Sequence, residues 1–296
     1  MEQKISIIGV PMDFGQLHRG VDMGPAAVRY SKLVQRLRSL GLKVEDRGDI
    51  NVPVRDTTEV DGVQDYTEEI AQICTDIYQE GKNAISENRF PLFIGGDHSI
   101  AIGTVGGVSH EGPIGLLWID AHGDFNTPET SPSGNIHGMP LAILAGEGDK
   151  TLVDIGRSGA KVDPENVVLI GIRDLDEKEK QRLNDSDVTI FTMRDIDEQG
   201  ISTVVNKALM KFVHLKKIHL SFDMDALDSI EVPGVGTPVA GGLTYREAHL
   251  LMEILSDTGK LGSMDLVELN PILDNKNKTA SLAVELIVSA LGKSIL

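Results

Sequence analysis

Six side chains able to bind metal ions recur at short spacing in three stretches of this chain. They are two imidazoles and four carboxylates: His98, Asp120, His122, Asp124, Asp223 and Asp225. In two of the stretches they occupy alternate positions directly after an apolar run. In an extended segment, alternate side chains point to one face and repeat roughly every 6.6 Å. The spacing therefore predicts that these groups converge on one small volume.

The composition of this cluster indicates its chemistry. Imidazoles and carboxylates without thiolates favour Mn²⁺, with Fe²⁺, Co²⁺ or Zn²⁺ as alternatives. Two such ions about 3.5–4 Å apart can share a bridging water, lower its pKa and deliver hydroxide at neutral pH, so hydrolysis is the expected reaction. A polar turn would explain Asp-x-His-x-Asp alone. It would not explain six crowded ligands, because buried charges need a counter-charge.

The loop after the first ligands carries further polar groups. Asn126, Ser133 and Asn135 could bind a polar substrate or could equally form turns. His137 is either an ordinary residue between loop and helix or a proton shuttle with a pKa near the working pH. Both interpretations remain open from the residues alone.

Four more polar residues follow later in the chain. Asp176 and Glu179 fit ordinary solvated charges at a helix start, which is the simpler interpretation. Thr237 and Glu268 lie beside turns rich in glycine and proline. A buried Glu268 would need a cation, and a substrate guanidinium would satisfy it through two hydrogen bonds.

Short apolar runs that alternate with helical patterns predict the elements that position these residues. We expect strands at 4–10, 42–50, 91–94, 114–120, 166–172, 188–192, 217–222 and 262–267. We expect helices at 26–40, 66–86, 100–108, 139–145, 177–184, 201–213, 244–256 and 278–291, and a polar loop at 57–63.

This alternation is typical of an α/β fold in which helices cover both faces of a mostly parallel sheet, a three-layer α/β/α sandwich. Such sheets bind ligands at the carboxyl ends of their strands. Five candidate residues fall at or just after such ends: His98, Asp120, Asp176, Asp223 and Glu268.

Composition narrows the class of protein. The chain has 296 residues, 41% of them hydrophobic, and no linker or repeat divides it, so we expect one domain over residues 1–296. Its net charge of −17 argues against nucleic acids and anionic membranes as partners. No apolar run approaches the roughly 18–20 residues of a membrane span, and the N-terminus does not resemble a signal peptide. Cys74 is the single cysteine, which excludes an intramolecular disulfide and favours a cytoplasmic location.

Together these motifs resemble the Mn²⁺-dependent ureohydrolases over essentially the whole chain. The shared motifs are Gly-Gly-Asp-His-Ser at 95–99, Asp-Ala-His-Gly-Asp at 120–124, Ser-Phe-Asp-Met-Asp at 221–225, Gly-Thr-Pro at 236–238 and Glu-Leu-Asn-Pro at 268–271. The loop with Asn-Thr-Pro at 126–128 and Ser-Gly-Asn-Ile-His-Gly at 133–138 is more specific and resembles the arginase branch. Agmatinases are similar at the metal motifs but differ in this loop.

The resemblance implies a single α/β/α domain with an eight-stranded parallel sheet, assembled as a homo-oligomer, either a trimer or a hexamer. It also implies two Mn²⁺ per subunit and the hydrolysis of L-arginine to L-ornithine and urea. The ligands of one ion would be His98, Asp120, Asp124 and Asp223. Those of the other would be His122, Asp120, Asp223 and Asp225, so that Asp120 and Asp223 would bridge the two ions.

The same resemblance implies roles for the surrounding residues. The groups that would bind the substrate α-carboxylate are Asn126, Ser133 and Asn135. Those that would bind the α-amino group are Asp176 and Glu179, and those facing the guanidinium are Thr237 and Glu268. His137 would shuttle protons, and Asp124 would pass a proton to the leaving amine. The family often has an arginine near the active-site rim, but the alignment is ambiguous between His18 and Arg19, so neither is assigned.

Two alternative functions remain open. An agmatinase or another guanidino-compound amidinohydrolase would keep the metals but would not need Ser133 and Asn135, since agmatine lacks an α-carboxylate. A metal-binding sensor without turnover would be expected to lack a ligand or the proton shuttle, and none is missing from this sequence.

Overall fold

Eight parallel strands form the sheet around which the chain folds in a computed structural model that describes residues 3–55 and 66–293. The strands are β1 (Lys4–Gly9), β2 (Lys43–Asp49), β3 (Phe90–Ile94), β4 (Gly115–Ile119), β5 (Val167–Ile172), β6 (Thr189–Thr192), β7 (Ile218–Asp223) and β8 (Leu261–Val267). Their order across the sheet is β2-β1-β3-β8-β7-β4-β5-β6, and every neighbouring pair is parallel. The expected parallel sheet is confirmed, with each predicted strand present. The loop predicted at 57–63 lies outside the described residues.

Helices cover both faces of this sheet. Those on one side are α1 (Gly24–Tyr30), α2 (Leu33–Ser39), α8 (Met193–Gln199), α9 (Ile201–Lys211), α10 (Tyr245–Asp257) and α11 (Lys278–Ala290). Those on the other are α3 (Thr67–Ser86), α4 (Ala101–Val108), α5 (Pro140–Leu144), α6 (Lys150–Val153) and α7 (Glu177–Asp185). The three-layer α/β/α architecture is therefore confirmed.

The apolar strands supply both hydrophobic cores because their side chains alternate between the two faces. In β4, Leu117 and Ile119 belong to one core, whereas Leu116 and Trp118 belong to the other. Each of these side chains is fully buried. A strand buried on both faces is apolar at nearly every position, which explains the continuous runs in the sequence.

The prediction of one helix at 26–40 is wrong, because the chain breaks there into α1 and α2. Lys32 adopts a left-handed conformation with φ of 67°, which a continuous helix does not allow. Asn277 contributes at the break by donating hydrogen bonds to Ala27 O and Ser31 Oγ. The other predicted helices are present, and Thr244 and Glu247 form a capping box at the start of α10.

The sequence prediction missed two short helices, α6 and α8. A signal for α8 is present in the chain, because Thr192 and Asp195 form a capping box at its start. Among the described residues, no helix combines the length and apolar composition that crossing a bilayer requires.

Strand order positions the candidate residues. The four central strands are β3, β8, β7 and β4, and their carboxyl ends lead to His98, Glu268, Asp223 and Asp120 respectively. Four segments far apart in sequence thus end side by side at one edge of the sheet, as the rule for ligand sites in parallel sheets predicts.

The turn before His98 depends on close backbone contact at Gly96, which gives a first prediction. A Cβ added to Gly96 would lie 1.8 Å from Met12 O and 2.7 Å from Met12 N, so the backbone would have to move. We expect Gly96→Ala to lower the free energy of unfolding by about 1–3 kcal/mol, as overpacking does. Gly138→Ala is the matched control, since a Cβ there meets no atom within 4 Å. Urea unfolding measures both, and equal stability of the two variants would contradict the prediction.

Candidate metal centre

Two turns of the same design present most of the candidate ligands. Asp120 follows β4, and its Oδ1 accepts a hydrogen bond of 2.7 Å from the backbone N–H of His122. Asp223 ends β7, and its Oδ1 accepts a 2.7 Å bond from the N–H of Asp225. In each turn the first carboxylate caps the amide two residues later, which is the short-range bonding that favours aspartate in turns.

The prediction of convergence is confirmed, but its geometric reason is wrong. The segment 120–124 is a bend beyond the end of β4, not an extended strand. Asp124 has a φ of 50°, in the left-handed region that non-glycine residues seldom adopt. The side chains therefore meet because the backbone turns, not because alternate residues share a face of the sheet.

One group of oxygens surrounds His98. Its Nδ1 lies 3.1 Å from Asp120 Oδ2, 3.1 Å from Asp124 Oδ2 and 3.3 Å from Asp223 Oδ2. All four side chains are buried. Nevertheless, His98 Nδ1 forms no hydrogen bond in the described structure. Oxygen and nitrogen atoms that surround a common point without bonding to one another have the arrangement expected of ligands to a cation.

A second group lies beside the first. His122 Nδ1 is 3.4 Å from Asp120 Oδ1 and 3.1 Å from Asp225 Oδ2. Asp120 belongs to both groups, with one oxygen directed towards each imidazole. Asp223 falls within the first group only, so its bridging role stays a prediction. The described residues thus provide two adjacent sets of oxygen and nitrogen ligands that share a carboxylate.

The pKa shifts within the cluster indicate that its carboxylates need positive charge to balance them. Burial alone would lower the pKa of His98, but the carboxylates of Asp120, Asp124 and Asp223 raise it well above its usual value. Burial, followed by the charge of Asp225 and then that of Asp120, raises the pKa of the Asp223 carboxyl well above its usual value. The metal-free cluster therefore has to hold protons to offset its negative charge. Divalent cations would replace those protons, so the residues fit a dinuclear metal site.

A cavity of about 170 Å³ opens onto this cluster. The residues lining it include four of the candidate ligands: His98, His122, Asp124 and Asp223. They also include His137, the predicted proton shuttle, and most of the predicted substrate-binding residues: Asn126, Ser133, Asp176, Glu179 and Thr237. Asn135, two residues after Ser133 in the sequence, does not line this cavity. It lines a different one.

Hydrogen bonds tie two of the predicted substrate residues to each other. Asn126 Nδ2 donates to Asp176 Oδ2 at 3.1 Å, so the loop after β4 contacts the start of α7. Ser133 Oγ accepts a 3.2 Å bond from the N–H of Asn135, which is a turn contact that leaves Ser133 exposed. The turn-forming and substrate-binding interpretations are therefore compatible for these residues.

Glu179 has a different environment from the one expected of a solvated charge. Its side chain is buried, and Oε1 accepts a 2.9 Å hydrogen bond from the N–H of Phe125. Burial raises the pKa of the Glu179 carboxyl to about 8. The simpler interpretation of Glu179, a solvated residue at a helix start, is thus wrong for its side chain.

Glu268 is fully enclosed by protein donors. Its Oε1 accepts from His98 N at 2.9 Å and lies 3.0 Å from His137 Nδ1, while Oε2 accepts from Gln16 Nε2 at 2.7 Å. Burial would lower the pKa of His137, but the hydrogen bond to Glu268 raises it to about 9. The buried carboxylate thus has a cationic partner within the chain, which the sequence prediction had sought in the substrate.

The structure also shows two residues that the sequence analysis missed. Gln16 is buried beside Glu268, and nothing in its loop sequence distinguishes it. Arg173 donates to the carbonyl oxygens of Asp225 and Val239, each at 2.7 Å, and so stabilises the turn that carries a candidate ligand. The signal for Arg173 in the sequence was its position directly after β5.

Thr237, predicted to face the guanidinium, donates a 3.0 Å hydrogen bond to Asp225 Oδ2.

Comparison with known proteins gives a consistent result along the whole chain. The model of the arginase family matches residues 3–292. The arginase of Bacillus subtilis (strain 168) is 49% identical over 297 residues, which cover 100% of both chains. The solved structure of Bacillus caldovelox arginase has a TM-score of 0.96 at 46% identity and also covers 100% of both chains. That of Entamoeba histolytica arginase in complex with L-ornithine has a TM-score of 0.90 at 32% identity, covering 99% of this chain and 100% of that chain.

The buried carboxyl of Glu179 generates a prediction about pH and stability. Its pKa is raised from 4.5 to about 8, so this carboxyl ionises at lower pH in the unfolded chain than in the folded protein. The resulting contribution to stability is present below about pH 4.5 and is lost as the pH rises towards 8. Glu179→Gln removes this titration and keeps an acceptor for the Phe125 N–H.

We therefore expect the unfolding free energy of the metal-free wild type to fall more steeply between about pH 5 and about pH 8 than that of Glu179→Gln. Urea unfolding of both proteins in the presence of a chelator measures the two slopes. Parallel curves would contradict the raised pKa.

Proposed function

Because the chain belongs to the arginase family, we propose that its reaction is the hydrolysis of L-arginine to L-ornithine and urea. The observation that carries this proposal is the pair of imidazole–carboxylate groups that share Asp120 and open onto a polar cavity. The loop from Asn126 to Gly138 lines that cavity beside the cluster, which suits a substrate with a polar end.

Two Mn²⁺ ions per subunit are the cofactors we propose. The residues that would hold them are His98, Asp120, His122, Asp124, Asp223 and Asp225. Carboxylate and imidazole ligands suit Mn²⁺, and no thiolate competes, since Cys74 is buried in α3. When bound, such ions supply positive charge and a water of lowered pKa for attack on the guanidinium carbon.

We propose that residues around the cavity bind the two ends of the substrate. Asn126, Ser133 and Asn135 would bind the α-carboxylate, and Asp176 with Glu179 would bind the α-amino group. The contact between Asn126 and Asp176 supports this, because it joins a group suited to each charge at one side of the cavity. An amino acid whose two charged groups are adjacent requires such a pairing of donor and acceptor.

The guanidinium end would lie near Thr237 and Glu268. Both Glu268 oxygens already accept hydrogen bonds from the protein, which holds the carboxylate in one orientation. A group fixed before the substrate arrives needs little reorganisation during the reaction. Glu268 would therefore face the guanidinium as a carboxylate of fixed orientation, with its charge shared with His137.

Proton movement would involve Asp124 and His137. Asp124 Oδ2 would carry the proton that the attacking water loses towards the departing amine. Asp124 lines the cavity, and its Oδ2 lies 3.1 Å from His98 Nδ1, so the carboxylate adjoins both the cluster and the space proposed for the substrate. His137 lines the cavity, and its side chain is 17% exposed, so its imidazole could exchange protons with solvent.

Several further expectations remain proposals of ours. They are a single domain over residues 1–296, assembly as a trimer or hexamer, and a cytoplasmic location.

Urea release from Mn²⁺-loaded protein with arginine and with agmatine tests the substrate assignment. We expect urea from arginine and little from agmatine, because a site built to bind a carboxylate rejects an analogue that lacks it. Ser133→Ala should lower kcat/KM for arginine by about tenfold, the loss of roughly one hydrogen bond to a charged group, and leave agmatine unaffected. Ser133 is exposed, so this variant should fold normally.

Urea from agmatine instead would keep the metal chemistry and contradict the assigned roles of Ser133 and Asn135. Absence of urea from both substrates, with metal bound, would contradict the proposed function and favour another guanidino substrate or a sensor.

Replacing His137 tests its role in proton transfer. We expect His137→Ala to lower kcat by about 10²–10⁴-fold with a much smaller change in KM, since a proton shuttle acts in turnover. His137→Asn is the matched variant, because its amide can still donate to Glu268 Oε1 but cannot shuttle a proton. Steady-state kinetics should show both variants equally slow. Recovery of kcat in His137→Asn would instead assign His137 to holding Glu268.

A further inference from the structure

A buried chain of hydrogen bonds extends from His98 into the sheet, away from the cavity. His98 Nε2 lies 2.9 Å from Ser221 Oγ, and Ser221 Oγ lies 2.6 Å from Asp265 Oδ1. Asp265 Oδ2 is in turn 2.9 Å from His219 Nε2 and 2.5 Å from Thr104 Oγ1. Each of these residues is 0–1% exposed.

The register of two central strands creates this chain. His219 and Ser221 of β7 lie opposite Ser263 and Asp265 of β8. Because alternate side chains of a strand share a face, these four polar groups meet on one side of the sheet. An ionisable residue at such a position is costly to bury, so its presence calls for a physical reason.

The hydrogen bonds from His98 through Ser221 to Asp265 can run in one direction only. A carboxylate accepts hydrogen bonds but does not donate them, so the single hydroxyl proton of Ser221 must point to Asp265. Ser221 Oγ is then an acceptor, and His98 Nε2 must carry the proton that it receives. A neutral His98 therefore keeps its lone pair on Nδ1, the atom that faces Asp120, Asp124 and Asp223.

We propose that Asp265 is a positioning residue that, through Ser221, holds His98 in the tautomer able to bind a metal ion through Nδ1. An asparagine in place of Asp265 could donate to Ser221. The hydroxyl of Ser221 would then donate to His98 Nε2, and the imidazole proton of His98 would move to Nδ1. The negative charge of Asp265 is therefore part of its role. His219 and Thr104 stabilise that charge through hydrogen bonds to Oδ2. Burial would raise the pKa of the Asp265 carboxyl, but the interaction with His219 holds it below its usual value.

This inference rests on the metal binding in the proposed function, and the protein carries its own probe for it. Trp118 is the single tryptophan of the chain. Its ring stacks on His98 with the ring centres 4.0 Å apart, and its Nε1 donates to Asp120 Oδ2 at 3.0 Å. Quenching of tryptophan fluorescence by Mn²⁺ therefore reports occupancy beside His98 without any measurement of activity.

The experiment titrates Mn²⁺ into the metal-free wild type, Asp265→Asn, Ser221→Ala and the double variant. We expect Asp265→Asn to raise the Kd of the quenching phase about tenfold, the lower end of losses seen when partners of metal ligands are removed. Ser221→Ala breaks the same chain, so Asp265→Asn should add nothing further in its background. Thr104→Val is the matched control, because it removes a buried hydrogen bond to Asp265 but leaves the bond from Ser221.

Thermal unfolding of the metal-free variants separates stability from affinity. A role confined to stability predicts that Asp265→Asn and Thr104→Val lose stability alike and keep the wild-type Kd, and this result would overturn the inference. Additive losses in the double variant would also overturn it. If Asp265→Asn does not fold, Ser221→Ala decides the question, since it removes the hydroxyl next to His98 Nε2 and should also weaken Mn²⁺ binding. A wild type that binds no Mn²⁺ would overturn the proposed function together with this inference.

Discussion

Buried negative charge at the carboxyl ends of the central strands is the constraint on which the rest of this structure depends. Asp120, Asp124, Asp223 and Asp225 are all nearly inaccessible to solvent, and no lysine or arginine forms an ion pair with them among the described residues. Such a cluster would destabilise the fold unless protons or cations neutralise it. The sheet can bring these carboxylates together only because binding of positive charge is coupled to folding.

Surrounding hydrogen bonds hold the backbone in unusual conformations at two points of the site. Asp124 and Glu268 both have positive φ, at 50° and 62°. The carbonyl oxygen of Asp124 accepts from Leu141 N, and the N–H of Glu268 donates to Gly96 O. Backbone strain of this kind persists only where neighbouring structure fixes it. It accompanies a carboxylate of Asp124 directed at His98 and a carboxylate of Glu268 directed at His137. The tight packing of Gly96 against Met12 thus contributes to the orientation of Glu268.

Sequence patterns predicted the strands and most helices well, because burial on both faces leaves a direct record in apolar runs. They predicted the six candidate ligands because a charged side chain directly after a buried strand is costly unless it binds a partner of opposite charge. The role of Asp265 could not be predicted in the same way. Its contact with Ser221 depends on β7 and β8 being neighbours in the sheet, which the order of the strands in sequence does not reveal. The break at Lys32 likewise depends on Asn277, which lies at the other end of the chain.

The arrangement of the site separates two physical requirements. The candidate metal ligands and the residues behind them lie on strands or on turns fixed by strand ends, where packing on all sides limits their movement. The groups assigned to the α-carboxylate and α-amino ends lie on the loop after β4 and at the start of α7, and Ser133 is exposed there. A substitution in that loop can alter which substrate binds without disturbing the buried charges. A substitution behind His98 alters the electrostatic balance on which the fold itself depends, so substrate choice is the property that such a structure can change at the lower cost in stability.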